Sequence, residues 1–111
     1  MKSLINIAFL LLAGFSIQAQ CADKMSQLEI ISIYQIEDEE EAGFDFFTSK
    51  KVHKCGGKLS NRFRSYSSEE LVASRKFELI LSAMNQGYKV TLSGHECEGR
   101  SLLVEFIGIS R

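Results

Sequence analysis

Only one stretch of this chain, Ser67 to Gly87, carries a helical period, while the other patterned segments are short and rich in β-branched or aromatic residues. A lone helix among strands restricts a small chain to compact β architectures, because each apolar strand face must be covered by another strand or by that helix. Ala73, Phe77, Ile80, Leu81 and Met84 follow the helical repeat, and Ser74, Arg75, Glu78, Ser82 and Asn85 fall opposite them. Ser67 and Glu70 match the S-x-x-E capping box and predict the helix start, and Gly87 predicts its end. Val72, Leu79 and Ala83 widen the apolar sector beyond what one sheet surface requires, which makes them the expected self-association contact. The same width also fits a helix partly covered by its own loops.

Three strands are expected before the helix. Leu28 to Ile36 places residues 28, 30, 34 and 36 on one face and Ile31 and Ile33 on the other. Phe44 to Cys55 forms the second strand, after a hairpin tip of five consecutive acidic residues, Glu37 to Glu41. Arg62 to Tyr66 makes a short third strand. After the helix, Tyr88 to Leu92 alternates, and Ser101 to Ile109 is apolar enough to run centrally. The order β-β-β-α-β-β predicts a mainly β, α+β domain with the layout of an OB fold, a five-stranded Greek-key barrel; a mixed α+β sandwich is the alternative, since element order does not dictate pairing.

The N-terminal segment adds a location. Met1-Lys2 opens with positive charge, Ile7 to Phe15 is an unbroken apolar run, and Ile17-Gln18-Ala19 resembles a cleavage site. Residues 1–19 therefore read as a secretory signal peptide, too short in its apolar part to span a bilayer, and residues 20–111 as one small domain. A secreted or periplasmic setting follows, in which cysteine pairing is the default. The residues before Cys21 make a poor lipidation box, so no membrane anchor is expected after cleavage. The formal net charge of −1, one unit more negative without Lys2, supplies no basic field for nucleic acid.

Two H-x-C pairs carry chemistry of their own: His53-Lys54-Cys55 and His95-Glu96-Cys97. A Cys55–Cys97 disulfide is the expected outcome in an oxidising compartment. A His53, Cys55, His95, Cys97 tetrahedral set for zinc or copper is the alternative, and Cys21 can also partner either cysteine. No nucleophile-and-base pair or convergent carboxylate set is legible in the spacing, so neither an enzyme nor a cofactor is expected. The acidic run lacks the spaced ligands of a calcium loop and reads as solvated. Lys50, Lys51, Lys54, Lys58, Arg62 and Arg64, interleaved with Phe63 and Tyr66, form a basic stretch that suits either a solvated sheet face or a surface for acidic glycans or a protein partner.

The leader, the five strands and the helix written Lys76 to Gly87, running on through Tyr88 to Leu92, resemble the pentameric receptor-binding B subunits of subtilase-cytotoxin and pertussis-like toxins and related small secreted proteins. The resemblance implies a ring of OB domains, helices central and glycan sites outward. It also implies a sugar-contacting serine early in the first strand, nearest here to Ser26, but Lys24 to Leu28 does not reproduce that segment and the site is not carried over. The expected function is a non-catalytic, oligomeric glycan- or receptor-binding module. A small periplasmic inhibitor or immunity protein that blocks a hydrolase is the alternative.

Overall fold

The computed structural model describes residues 24–36 and 42–111; the leader, Cys21 and the acidic run lie outside them. Among the described residues there are eight strands and one α-helix: β1 (Lys24–Leu28), β2 (Ile30–Ile36), β3 (Ala42–Thr48), β4 (Arg62–Ser67), α1 (Glu70–Gln86), β5 (Lys89–Ser93), β6 (Glu96–Glu98), β7 (Ser101–Leu103) and β8 (Phe106–Ser110). These residues are mainly β with a single α-helix, as expected. Its strands form two ladders rather than one closed barrel, a five-stranded sheet ordered β2-β3-β4-β7-β6 and a three-stranded sheet ordered β1-β5-β8. No helix among the described residues is long and apolar enough to cross a membrane.

Two expected strands are each divided between the sheets. The first, Leu28 to Ile36, has Leu28 alone in β1 and continues as β2 after Glu29; Lys24 to Gln27, not expected in a strand, make up the rest of β1, which carries a bulge where Gln27 adopts a positive φ of 59°. The last is cut at Val104 and Glu105, whose consecutive amides donate to different sheets, Val104 to the Arg64 carbonyl of β4 (2.9 Å) and Glu105 to the Ser93 carbonyl of β5 (2.9 Å). The chain can change sheets there because Gly94 lies against β7; a Cβ at residue 94 would stand 2.1 Å from the Leu103 carbonyl oxygen.

A second bulge redirects the faces of β2. Ile30 pairs with Thr48, but Ser32 pairs with Phe47, so Ile31 is an extra residue and is 56% exposed. Beyond it the alternation inverts: Ile33 packs against the core, and Tyr34, expected on the same face as Leu28 and Ile30, turns outward.

The second expected strand stops at Thr48 rather than Cys55. Thr48 Oγ1 donates to the Lys50 carbonyl (2.7 Å), turning the chain, and residues 52–53 bond to Ser60 before a 3₁₀ turn at Cys55–Gly57. The capping box does not form either. Ser67 stays in β4, paired with Ala42, and its hydroxyl accepts the Glu69 amide (3.1 Å) in a turn that leads into α1. Glu69 is the N-cap, and Gly87 ends the helix as expected, at φ 71°.

Helix α1 lies over both sheets, packing on β2, β3 and β4 of one and on β5 and β8 of the other. Ala73, Ile80 and Ala83 are buried by it, with Phe77 and Met84 alongside. The core beneath joins Phe44, Phe46 and Phe63 to Leu28, Val90 and Leu92. At roughly 25 cal/mol per Å² of apolar surface removed from water, these aromatic side chains are the largest contributors to its stability.

Candidate binding face

The outward surface of β2, β3 and β4 is built by strand alternation from residues whose neighbours fill the core. On β4, Phe63 and Ser65 point inward and Arg62, Arg64 and Tyr66 outward; on β3, Phe44 and Phe46 point inward and Asp45 and Phe47 outward. Register sets Asp45 opposite Arg64 and Phe47 opposite Arg62, with Tyr34 of β2 beside Asp45.

Asp45 is the centre of this face. It is 4% exposed because two guanidinium groups lie over it. Oδ1 accepts from Arg64 Nε (2.6 Å), and Oδ2 accepts from Arg64 Nη2 (2.9 Å) and from Arg62 Nη2 and Nε (2.7 and 3.2 Å). Burial alone raises a carboxyl pKa, but the hydrogen bonds and charges of Arg64 and Arg62 outweigh it and hold Asp45 below its ordinary range. Arg64 Nη1 continues the network to Glu98 Oε1 (2.6 Å), which also accepts from the Tyr66 hydroxyl (3.1 Å). Burial and the Glu98 bond push the Tyr66 phenol upward, and Arg64 remains cationic, chiefly through its bonds to Asp45.

Around this charged centre stand three aromatic rings. Tyr34 meets Phe47 edge to face at 5.7 Å, the Arg62 guanidinium lies 5.8 Å from the Phe47 centroid, and Arg64 lies 5.8 Å from that of Tyr66. The Tyr66 ring rests on Gly43, where a Cβ would come within 2.6 Å of it. Every buried side-chain polar atom among the described residues has a partner. The face offers flat rings for stacking beside oriented donors and acceptors.

The cysteine expectation is met: Cys55 and Cys97 are joined, with Cα atoms 5.4 Å apart. His53, Cys55, His95 and Cys97 do line one cavity of about 630 Å³ at that end of the molecule, yet they are not a ligand set. The sulfurs are bonded to each other, and both ring nitrogens of His53 are engaged: Nε2 donates to the Arg62 carbonyl (2.7 Å) while Nδ1 accepts the Cys55 amide (3.2 Å). Burial holds His53 below its ordinary pKa, with the Arg62 bond opposing in part, so the ring is neutral and structural. His95 is exposed, its Nδ1 3.1 Å from Glu105.

The basic stretch divides. Lys50, Lys51, Lys54 and Lys58 are exposed on the connection between β3 and β4, Arg62 and Arg64 stand on the face, and Phe63 is core rather than a partner of Tyr66. Ser26 is exposed on β1, away from this face. In the expected helix contact, Ala83 is 1% exposed beneath its own sheets and is unavailable to a second subunit; Val72 and Leu79 are half-buried and Leu71, not singled out, is 62% exposed. Sequence reasoning also missed Asp45, Tyr34, Phe47 and Glu98. A lone charge amid the aromatics of Phe44 to Phe47, facing an alternating Arg-Phe-Arg strand, is the signal that points to Asp45.

Comparison with known proteins returns no matching family, no matching curated protein and no matching solved structure.

Proposed function

We propose that this chain is a secreted, non-catalytic binding module of the OB type that takes a saccharide on the outward face of β3 and β4. The observation that carries the reading is the brace of Asp45 between Arg62 and Arg64, which fixes polar groups among Tyr34, Phe47 and Tyr66 on an accessible sheet surface. Strand pairing supports the fold assignment. If β1 with β2 and β7 with β8 are each counted as one interrupted strand, five strands pair in the order first, second, third, fifth, fourth, first. The third and fifth run parallel, and the helix lies between the third and fourth, which supports the OB reading with interruptions at Glu29 and Val104–Glu105. In OB folds the face of the second and third strands is the usual oligosaccharide and oligonucleotide surface. The disulfide is compatible with the secreted setting read from residues 1–19. Assembly into a homo-oligomer belongs to the same proposal, through the flank of α1 that carries Leu71, Val72 and Leu79.

The test is titration of the purified protein with a panel of neutral and acidic hexasaccharides by calorimetry. Binding by the wild type and a loss of at least tenfold in Tyr34→Ala, whose exposed ring is not part of the core, are expected. A protein that binds none of the panel at millimolar concentration excludes the reading.

A further inference from the structure

Beside the aromatic face, three cations from three separate segments border one small cavity. Lys51 follows β3, Arg62 opens β4 and Arg100 sits in the turn between β6 and β7; Phe47, Ser60 and Asn61 complete a lining of about 240 Å³ that contains no carboxylate. The volume is below the roughly 300–1,000 Å³ of a site that encloses a whole small molecule, so it suits one functional group of a larger ligand.

The cavity is organised by buried hydrogen bonds. The Ser60 hydroxyl, in a side chain 2% exposed, donates to the Arg100 carbonyl (2.8 Å) and accepts the Arg62 amide (3.2 Å), tying the backbones that carry two of the cations. Asn61 Nδ2 donates to the Thr48 carbonyl (2.7 Å), and Thr48 Oγ1 donates to the Lys50 carbonyl (2.7 Å), which ties the third cation's turn to the same corner. Among the described residues neither Lys51 nor Arg100 has a carboxylate partner; Arg100 Nη2 donates only to the Leu59 carbonyl (3.3 Å). Arg62 directs Nε and Nη2 at Asp45, and its Nη1 has no hydrogen-bond partner among the described residues. Arg62 and Arg64 are balanced by Asp45 and Glu98, so Arg62 brings a donor to the cavity while Lys51 and Arg100 bring its excess positive charge. Two like charges at one corner repel one another, and an anion relieves that repulsion.

We propose that this cavity is a subsite for a tetrahedral oxyanion ester, a sulfate or phosphate group carried on the saccharide that lies across Phe47 and Tyr34. A planar carboxylate is satisfied edge-on by one guanidinium, whereas three oxygens spread over a tetrahedron call for donors arriving from several sides, as Lys51, Arg62 and Arg100 do. The Phe47 ring joins the cavity to the aromatic face, so a sugar ring on that face brings its ester group to the cations. The assignment rests on the saccharide-binding reading above and gives it a ligand class.

The experiment is calorimetric titration of the full protein with a heparin-derived hexasaccharide, a phosphorylated mannan hexasaccharide and a hyaluronan hexasaccharide, which carries carboxylates alone. At least one ester-bearing ligand should bind about tenfold or more tighter than hyaluronan, and whichever is tighter identifies the ester. Lys51→Gln and Arg100→Gln, both at exposed positions, should each weaken that ligand about tenfold while leaving hyaluronan unchanged, and Lys58→Gln, outside the cavity, should stay within about twofold. Equal binding of hyaluronan and the ester ligands, or unchanged binding in both cavity variants, overturns the subsite. If the cavity variants have no effect but Tyr34→Ala abolishes binding, the face stands and the subsite falls. If the reverse holds, the subsite stands and the stacking face falls. Absence of binding to all three removes both.

Discussion

Asp45 shows how a single charged side chain can organise a sheet surface. A carboxylate in the middle of an aromatic strand is costly unless each lone pair meets a donor, and four donor contacts from two arginines meet that condition. Asp45→Asn keeps the shape but leaves two guanidinium groups facing a neutral amide. It should destabilise the fold by about 2–3 kcal/mol in urea denaturation, less than a fully buried pair, because Arg62 is 41% exposed. Acid acts through the same residue and through His53. The His53 pKa lies below its ordinary 6.5 in the folded protein, so the unfolded chain binds that proton more readily. Its contribution is complete above pH 6.5 and declines as pH falls below that value. Asp45, lowered from 3.8, contributes fully above that pH and loses its contribution as pH drops further, through its folded value. Urea midpoints followed from pH 7 downward should therefore fall in two stages, and His53→Gln should flatten the first stage alone.

Helix α1 closes the open side of two sheets with a face of small and medium side chains. Ala73, Ile80 and Ala83 allow close approach, and Phe77 reaches across to Phe44 at 5.2 Å, edge to face. Its outer flank is mixed. Leu79 lies in a shallow hollow with Arg75, Glu78 and Ser82, and Leu71 in the first turn of the helix is exposed. Leu79→Glu should dissociate the proposed homo-oligomer without unfolding the subunit, because burying the new carboxylate unpaired in the contact costs several kcal/mol whereas in a free subunit it can reach water. Sedimentation velocity of wild type and variant decides the matter. A wild type that is monomeric at micromolar concentration, or a variant that loses its fold, rules this flank out as the contact.

Across the whole molecule, the Cys55–Cys97 bridge ties the connection after β3 to β6, the short outer strand of the larger sheet. Closing a loop of 42 residues removes chain entropy from the unfolded state worth about 4 kcal/mol in the loop-closure treatment. Reduction, or the pair Cys55→Ala with Cys97→Ser, should lower the unfolding free energy by about 2–4 kcal/mol in urea denaturation; a loss below about 1 kcal/mol would mean that the core alone holds β6 in place.

Short-range features of the chain determine the mainly β class and the helix with its Gly87 stop. They do so because a helical or strand period is written within ten or so residues and needs no distant partner. Tertiary structure decided the rest. Tyr34 faces outward because Ile31 bulges against a partner strand, Ser67 remains a strand residue because Ala42 pairs with it, and Ser101 to Ile109 splits because Arg64 and Ser93 take adjacent amides. Each of these outcomes depends on a hydrogen bond to a residue far along the chain, and so does the candidate face. Asp45, Arg62 and Arg64 form one site only when β3 and β4 pair in this register, and Arg100 joins Lys51 and Arg62 only when the turn after β6 is brought to the same corner.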